Sequence, residues 1–423
     1  MTSIILCHRL CFIAFVLICV SCGDELPDES ASNYVSVEWG RLTLDSKPYG
    51  FSGTNAYYLQ EEASRELAAG ATVSEVVNEV FRELAELGVS TVRTNGFNDA
   101  PEKDSVIQIE QGIYSEAGFR GLDHVIAMAE RYGLHLILSV SNYWTAYGGV
   151  DQYLAWNAYP HDKQDDRGAF FVEDSLRDHF KSYLRALMLR VNSETGRQYR
   201  DEPAVLAWEL MNEPRGWGTS AQRLSDWYCE MAGELRALGA KQLIASGETG
   251  FGNFYGELED SSQLLFLEQA TASWLLDGSQ ATEFVLNSQC VDIASIHCYP
   301  EAWGASPYEA KRVCETWARL HHDLLAQSQI PLLMGEFGLL NPARDDRALF
   351  ELSERRDIYS AWLSLAEKGI VDGAFPWMYS YDARPVEWDH YSFTWYDGSP
   401  VEAEQNEYID LLRLHAEAIE RRE

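Results

Sequence analysis

Short apolar runs alternate, from Val37 onward, with longer segments whose apolar residues recur every three or four positions. The run from Pro48 to Tyr58 reads as a strand, and VSEVVNEVFRELAELG after it as an amphipathic helix that ends at a glycine stop. The pair recurs as STVRTNGF before GLDHVIAMAERYG, LHLILSVSN before SLRDHFKSYLRALMLRV, and AVLAWELMNE before LSDWYCEMAGELRALG. KQLIASGE is the fifth strand, and the irregular stretch from Thr249 to Gln289 leaves the helix after it poorly defined. VDIASIHCYP, PLLMGEFGL and GAFPWMY then alternate with YEAKRVCETWARLHHDLLAQ, ALFELSERRDIYSAWLSLAEKG and EYIDLLRLHAEAIERR. A long insertion rich in Trp and Tyr, Tyr143 to Gly168, separates strand three from its helix.

Eight strands alternating with helices imply parallel pairing, and the count favours closure into an α/β fold of the (β/α)8 TIM-barrel type. The competitor, a doubly wound open sheet, usually carries a glycine-rich first turn, which is absent. A single catalytic domain over residues 37–423 accounts for nearly all of the 423-residue chain. Residues 23–36 are polar and aperiodic and read as a flexible tether. Residues 1–22 read as a signal peptide, because LCFIAFVLICV is too short to span a bilayer and follows His8 and Arg9. Ser21-Cys22 before an acidic stretch resembles a lipoprotein signal with Cys22 lipidated, although Cys19 stands where Leu is usual; ordinary cleavage near Cys22 is the alternative. The chain is therefore expected to be exported, extracellular or held at the cell envelope.

Composition narrows the partners. A net charge of -33 opposes nucleic acid and anionic membranes, so membrane contact is expected only through a lipid anchor, and a neutral substrate fits best. The 13 Trp exceed ordinary core needs and suit a cleft in which sugar faces stack on aromatic rings, although most of them should still be anchors. Beyond the leader, Cys229, Cys290, Cys298 and Cys314 remain, and spacing leaves their pairing open.

In such a barrel the active site lies where the strands end. Those ends carry Arg93, Asn142, Asn212 and Glu213, His297 and Tyr299, Glu336, and Trp377. Two carboxylates among neutral donors and aromatics suit glycosidic cleavage, which needs a proton at the leaving oxygen and a carboxylate at the anomeric carbon. Strands four and seven lie across the barrel from each other, so Glu213 and Glu336 can face one another. Arg93 and Tyr299 are placed to keep Glu336 ionised, and His297 to order the network. His297-Cys298 lacks a second metal-ligand pair, so no metal is expected. His321 and His322 are read as solvent-facing or packing residues of a helix, and no G-x-S-x-G elbow is present.

WELMNEPR with LLMGEFG resembles glycoside hydrolase family 5 of clan A. VRTNGF, SNYWTAYGGVDQYLAW, RVNSETGRQYRDEPAVLAWELMNEPRG and SIHCYPEAWG look like its plant and fungal endo-β-1,4-mannanases, over roughly residues 37–400. The resemblance implies a monomeric, cofactor-free enzyme cleaving β-1,4-mannosidic bonds in mannan, glucomannan or galactomannan. By motif, Glu213 is the acid/base and Glu336 the nucleophile, and Asn212 contacts the hydroxyl beside the cleaved bond. Arg93, His297, Tyr299 and Trp377 complete the centre, with Trp377 a platform under the sugar, while Trp144 and Arg215 are subsite contacts. The sequence departs from the pattern at Thr94-Asn95-Gly96-Phe97 and at GETGFGN, which bears on the outer subsites. The rivals are a β-1,4-glucanase of the same clan and a non-catalytic surface glycan-binding protein.

Overall fold

The eight expected strands form in order: β1 (Phe51–Asn55), β2 (Thr91–Asn95), β3 (His135–Ser139), β4 (Val205–Glu209), β5 (Leu243–Ala245), β6 (Ala294–Cys298), β7 (Leu332–Phe337) and β8 (Gly373–Pro376). This is a computed structural model that describes residues 33–254, 262–276, 278–342, 345–381, 390–391, 393–394 and 400–422. The leader, Cys22 and residues 23–32 of the expected tether lie outside the described residues. All eight strands pair in parallel in the order β5-β4-β3-β2-β1-β8-β7-β6. A parallel bridge from Ala245 to Ile293 joins the two edges and nearly closes the barrel. Because helices cover the outer face, the strands are buried on both sides and read as continuous apolar runs.

The covering helices are α1 (Glu75–Glu86), α2 (Glu116–Tyr132), α3 (Asp174–Leu189), α4 (Ala221–Ala237), α5 (Ser262–Ala270), α6 (Ala310–Leu325), α7 (Leu352–Glu367) and α8 (Pro400–Glu420). Ser74 caps α1 by accepting the Val77 N–H at 3.2 Å, and left-handed Gly133 ends α2, as its sequence signals require. In α6 His321 is fully buried and packed, whereas His322 is exposed.

Two elements escape the periodicity reading. Helix Leu59–Ala68 buries Gln60, Ala63 and Ser64 rather than an apolar stripe, and Gln60 donates to the Ser105 carbonyl at 2.9 Å and the Gly118 carbonyl at 3.0 Å. Ahead of β1, an antiparallel meander (Ser36–Glu38, Arg41–Leu44, Lys47–Pro48) caps the end of the barrel where the strands begin. Its Val35 and Leu42 join Phe51, Ile137, Leu206, Leu243, Ile293, Leu333 and Phe375 in the inner core. The ordered body thus starts before residue 37: Val35 is 4% exposed, and the Tyr34 hydroxyl donates to the Asp201 carbonyl at 2.9 Å. Strands this short show too few alternations to stand out from a polar tether.

The open disulfide question resolves into Cys229–Cys290 and Cys298–Cys314, the second tying the end of β6 to α6. Loop closure of the second kind, across a sequence separation of 16, stabilises by about 3 kcal/mol.

Inside the barrel, β1 and β8 exchange rings for glycines. A Cβ on Gly53 would fall 2.2 Å from the Phe375 ring, and one on Gly373 2.1 Å from the Phe51 ring. The two phenyl rings sit 5.5 Å apart. Gly53→Ala should therefore cost about 1–3 kcal/mol through overpacking, read as a lowered urea midpoint with unchanged slope. A neutral result would show that the Phe375 ring can swing clear.

Candidate active site

Arg93, at the C-terminal half of β2, is the most heavily bonded side chain of the rim. Its Nε and Nη2 donate to Glu209 at 2.8 and 2.6 Å, and Nη2 also reaches Asn212 Oδ1 at 2.7 Å. Nη1 donates to Glu336 Oε1 at 2.6 Å and to Asn55 Oδ1 at 3.0 Å. All five guanidinium N–H groups are thereby used. Burial works against the charge, but the carboxylates of Glu209 and Glu336 outweigh it and push the Arg93 pKa up.

Glu336 reaches this partner through a register shift in β7. Met334 pairs with Ile296, and Glu336 then stands opposite His297, so Gly335 is the extra residue. A Cβ there would fall 2.7 Å from Ser295 Oγ and 3.2 Å from His297 Nε2, which is why the bulge is a glycine. The Tyr299 hydroxyl donates to Glu336 Oε2 at 2.6 Å. Burial raises the Glu336 pKa with help from the Glu213 charge, while His297, Arg93 and Tyr299 hold the ionised form against it.

Glu213 lies across the mouth in the left-handed region, at φ 50°, where few non-glycine residues are found. Its amide bonds the Gly247 carbonyl at 2.8 Å, which aims the side chain inward. Oε2 accepts the Trp144 indole N–H at 2.8 Å, and Oε1 lies 2.7 Å from His297 Nδ1. Burial would raise this carboxyl, but the bond to His297, the His297 and Arg215 charges and the Trp144 N–H bring it down to about 2. Across a 2.7 Å hydrogen bond, a carboxylate facing imidazolium and a carboxylic acid facing neutral imidazole differ only by where one proton sits.

One oxygen of Glu213, one ring nitrogen of His297 and one oxygen of Glu336 lie within 4.8 Å of one another. Such a trio can in principle ligate a cation, but the Arg93 charge 2.6 Å from Glu336 makes it a poor site for one.

The other sequence-predicted residues divide. Asn212 donates to Asn142 Oδ1 at 3.1 Å, so Arg93 and Asn142 fix its amide at the rim. Trp377 lies against Tyr57, stacked at 5.4 Å. Trp144 does more than line a subsite, since it bonds Glu213 directly. Arg215 is 4% exposed and spends its guanidinium on the carbonyls of Glu213 and Pro214 at 2.8 and 2.9 Å and on Thr249 Oγ1 at 2.8 Å. It lines the groove wall chiefly as a brace for the acid's backbone. Sequence reasoning passed over Glu209, although it too is a polar end to an apolar strand, and over Asn55 for the same reason.

The groove has two lobes that share Asn142, Ala146, Asn212 and Trp377. One, of about 450 Å³, runs over Arg93 and Asn55 to Tyr57, Tyr147 and Lys103. The other, of about 620 Å³, holds Glu213 and Glu336 and is walled by Trp144, Trp217, Trp274 and Trp303. The irregular stretch after β5 therefore has a use: it brings Trp274 to the groove and bonds Trp217 Nε1 through the Ser279 carbonyl at 2.9 Å.

Fold and groove together define a barrel glycosidase. A family model described as GH family 5 beta-mannosidase-like matches residues 32–410. Mannan endo-1,4-beta-mannosidase 2 of Oryza sativa subsp. japonica is 32% identical over 365 residues, covering 83% of this chain and 78% of its own. Mannan endo-1,4-beta-mannosidase 5 of Arabidopsis thaliana is 35% identical over 327 residues, with 75% and 71% covered. The endo-beta-1,4-mannanase structure from Thermotoga petrophila superposes with a TM-score of 0.73 at 26% identity, covering 88% of this chain and 77% of that one. The chain belongs to glycoside hydrolase family 5, in its beta-mannosidase-like group.

Trp144→Phe removes a donor that lowers the Glu213 pKa, so that pKa must rise. The alkaline limb of the pH profile of kcat/KM should move to higher pH. An unmoved limb would show that the indole N–H does not govern the acid.

Proposed function

We propose that the protein is an endo-acting, retaining mannanase that hydrolyses β-1,4-mannosidic bonds, with Glu336 as nucleophile and Glu213 as acid/base. The observation that carries the chemistry is the pair of carboxylates with oxygens within 4.8 Å and unlike partners. Retaining enzymes hold the two groups about 5–5.5 Å apart, whereas inverting ones leave room for a water at about 6.5–9.5 Å. In the first step Glu336 attacks the anomeric carbon, the bond to the leaving oxygen breaks, and the Glu213 proton passes to that oxygen. Glu213 then takes a proton from water as the water oxygen attacks the same carbon and frees Glu336. The two inversions restore the starting configuration.

Mannan as substrate rests on the family and on relatives named mannan endo-1,4-beta-mannosidase. A groove extending to both sides of the carboxylates lets a polymer pass through, which supports endo action. A neutral glycan also suits a chain of net charge -33. We read residues 1–22 as an export signal with Cys22 as its lipidated residue, and the body as a monomer. Among the described residues no helix is long and apolar enough to cross a membrane.

Glu336→Ala should lose more than about 10³-fold on every substrate, because no glycosyl-enzyme can form. Glu213→Ala should still react with aryl mannosides whose leaving group needs no proton, and azide should then release the stalled sugar with retained configuration. Azide rescue with retained product at Glu336→Ala and with inverted product at Glu213→Ala would reverse the two roles. Wild-type depolymerisation of mannan and glucomannan, with carboxymethyl cellulose untouched, separates the mannanase from a glucanase.

Trp377→Ala should weaken binding and slow turnover together, by about 1–3 kcal/mol in kcat/KM, if its ring supports the distorted sugar. Unchanged kinetics would reduce it to a packed strand-end residue.

A further inference from the structure

The end of the barrel opposite the mouth carries a feature that sugar chemistry does not use. A cavity of about 540 Å³ opens there between the meander, the first residues of β7 and β8, and the C-terminal ends of α6, α7 and α8. Its walls gather Arg41, Lys368, Arg422 and His322, all exposed, in a chain with 66 acidic residues against 33 Lys and Arg. Among the described residues Arg41, Lys368 and Arg422 make no ion pair; Lys368 donates to Ser364 Oγ at 2.9 Å and Arg422 to the Ala366 carbonyl. The carboxylate facing them, Asp372, is largely buried and accepts the Leu332 N–H at 2.9 Å. Among the residues that line the cavity the cations therefore outnumber the acid, against the charge of the whole, while the meander beside it also exposes Glu38 and Asp45. Beside them Trp39 stands 89% exposed at the meander turn, while Lys47 is exposed on its third strand.

The chain also joins the body at this end. Tyr34 bonds the Asp201 carbonyl just ahead of β4, and the eleven residue steps from Cys22 to Asn33 span at most about 36–40 Å. Exposed Trp suits the headgroup layer, and Lys and Arg suit anionic phosphates.

We propose that the face formed by Trp39, Arg41, Lys368 and Arg422 lies against an anionic phospholipid surface, so that the catalytic groove points outward. The inference rests on the reading of an envelope-anchored protein and not on the identity of the substrate. The net charge of -33 does not forbid it, because at physiological salt charges farther than about 8 Å are largely screened and the contact senses its own cations.

The test uses the chain from Gly23, which keeps the whole described body and cannot be lipidated if Cys22 is absent. It is sedimented with phosphatidylcholine vesicles and with an equal mixture of phosphatidylcholine and phosphatidylglycerol, at low and at high salt. Binding is expected on the mixed vesicles alone and should fall as salt rises. Arg41→Glu with Lys368→Glu should cut it at least about tenfold. Trp39→Phe should abolish the blue shift of tryptophan emission that accompanies binding. Mannan hydrolysis by both variants reports their folding independently, and an inactive wild type that still binds vesicles would count against the substrate reading alone. The proposal is overturned by absent binding at low salt, by equal binding of the double variant, or by retention on polygalacturonate with vesicles ignored.

Discussion

A single buried guanidinium organises the mouth of this barrel. Arg93 is 5% exposed, and its five N–H groups join residues from β1, β2, β4, the loop after β4, and β7. Charges this deep are tolerated only when paired, and removing one partner of such a pair costs about 3–5 kcal/mol. Glu209 supplies the bidentate partner, and Ser139 Oγ donates to its Oε1 at 2.7 Å, which leaves Glu336 a single bond to Arg93 through Nη1. The division matters chemically. A carboxylate tied bidentately to Arg93 would have both oxygens engaged by it, whereas Glu336 keeps Oε2 for the Tyr299 phenol. A lysine could not replace this arrangement, having three donors and no planar fork.

The acid side is built on a different constraint. Glu213 occupies a backbone region that costs free energy for a residue with a Cβ, and it stays there because Arg215 and Gly247 hold its carbonyl and amide. His297 is positioned in turn by the end of β6, whose next residue, Cys298, is crosslinked to α6. Glu213 and His297 thus face each other across a 2.7 Å hydrogen bond, each on a fixed backbone.

The barrel was legible because period and length repeat eight times, and because the parallel strands read as apolar runs ended by polar residues. Glu213, Glu336, Arg93, His297 and Tyr299 were visible for the same reason. Glu209 and Asn55 were missed, although they end strands too, because attention to groups that could touch sugar passes over groups that hold those groups. The helix Leu59–Ala68 was hidden by its polar buried face, and the meander by the brevity of its strands. The disulfides and the brace role of Arg215 depend on distances that no spacing encodes.

The aromatic excess finds its explanation in the division of the tryptophans. Trp208, Trp227, Trp317 and Trp362 are fully buried among helices and strands. Trp144, Trp217, Trp274, Trp303 and Trp377 instead line the lobe that holds the two carboxylates while also packing on the core. Four of these five come from loops after β3, β4, β5 and β6, and the fifth from the end of β8. Rings of this size present flat apolar faces at low conformational cost, which complements pyranose faces without attracting charged competitors. The aromatic walls suit neutral sugars at contact. The barrel can therefore admit a polymer chain past aromatic walls while Arg93 holds the Glu336 carboxylate in place at its mouth.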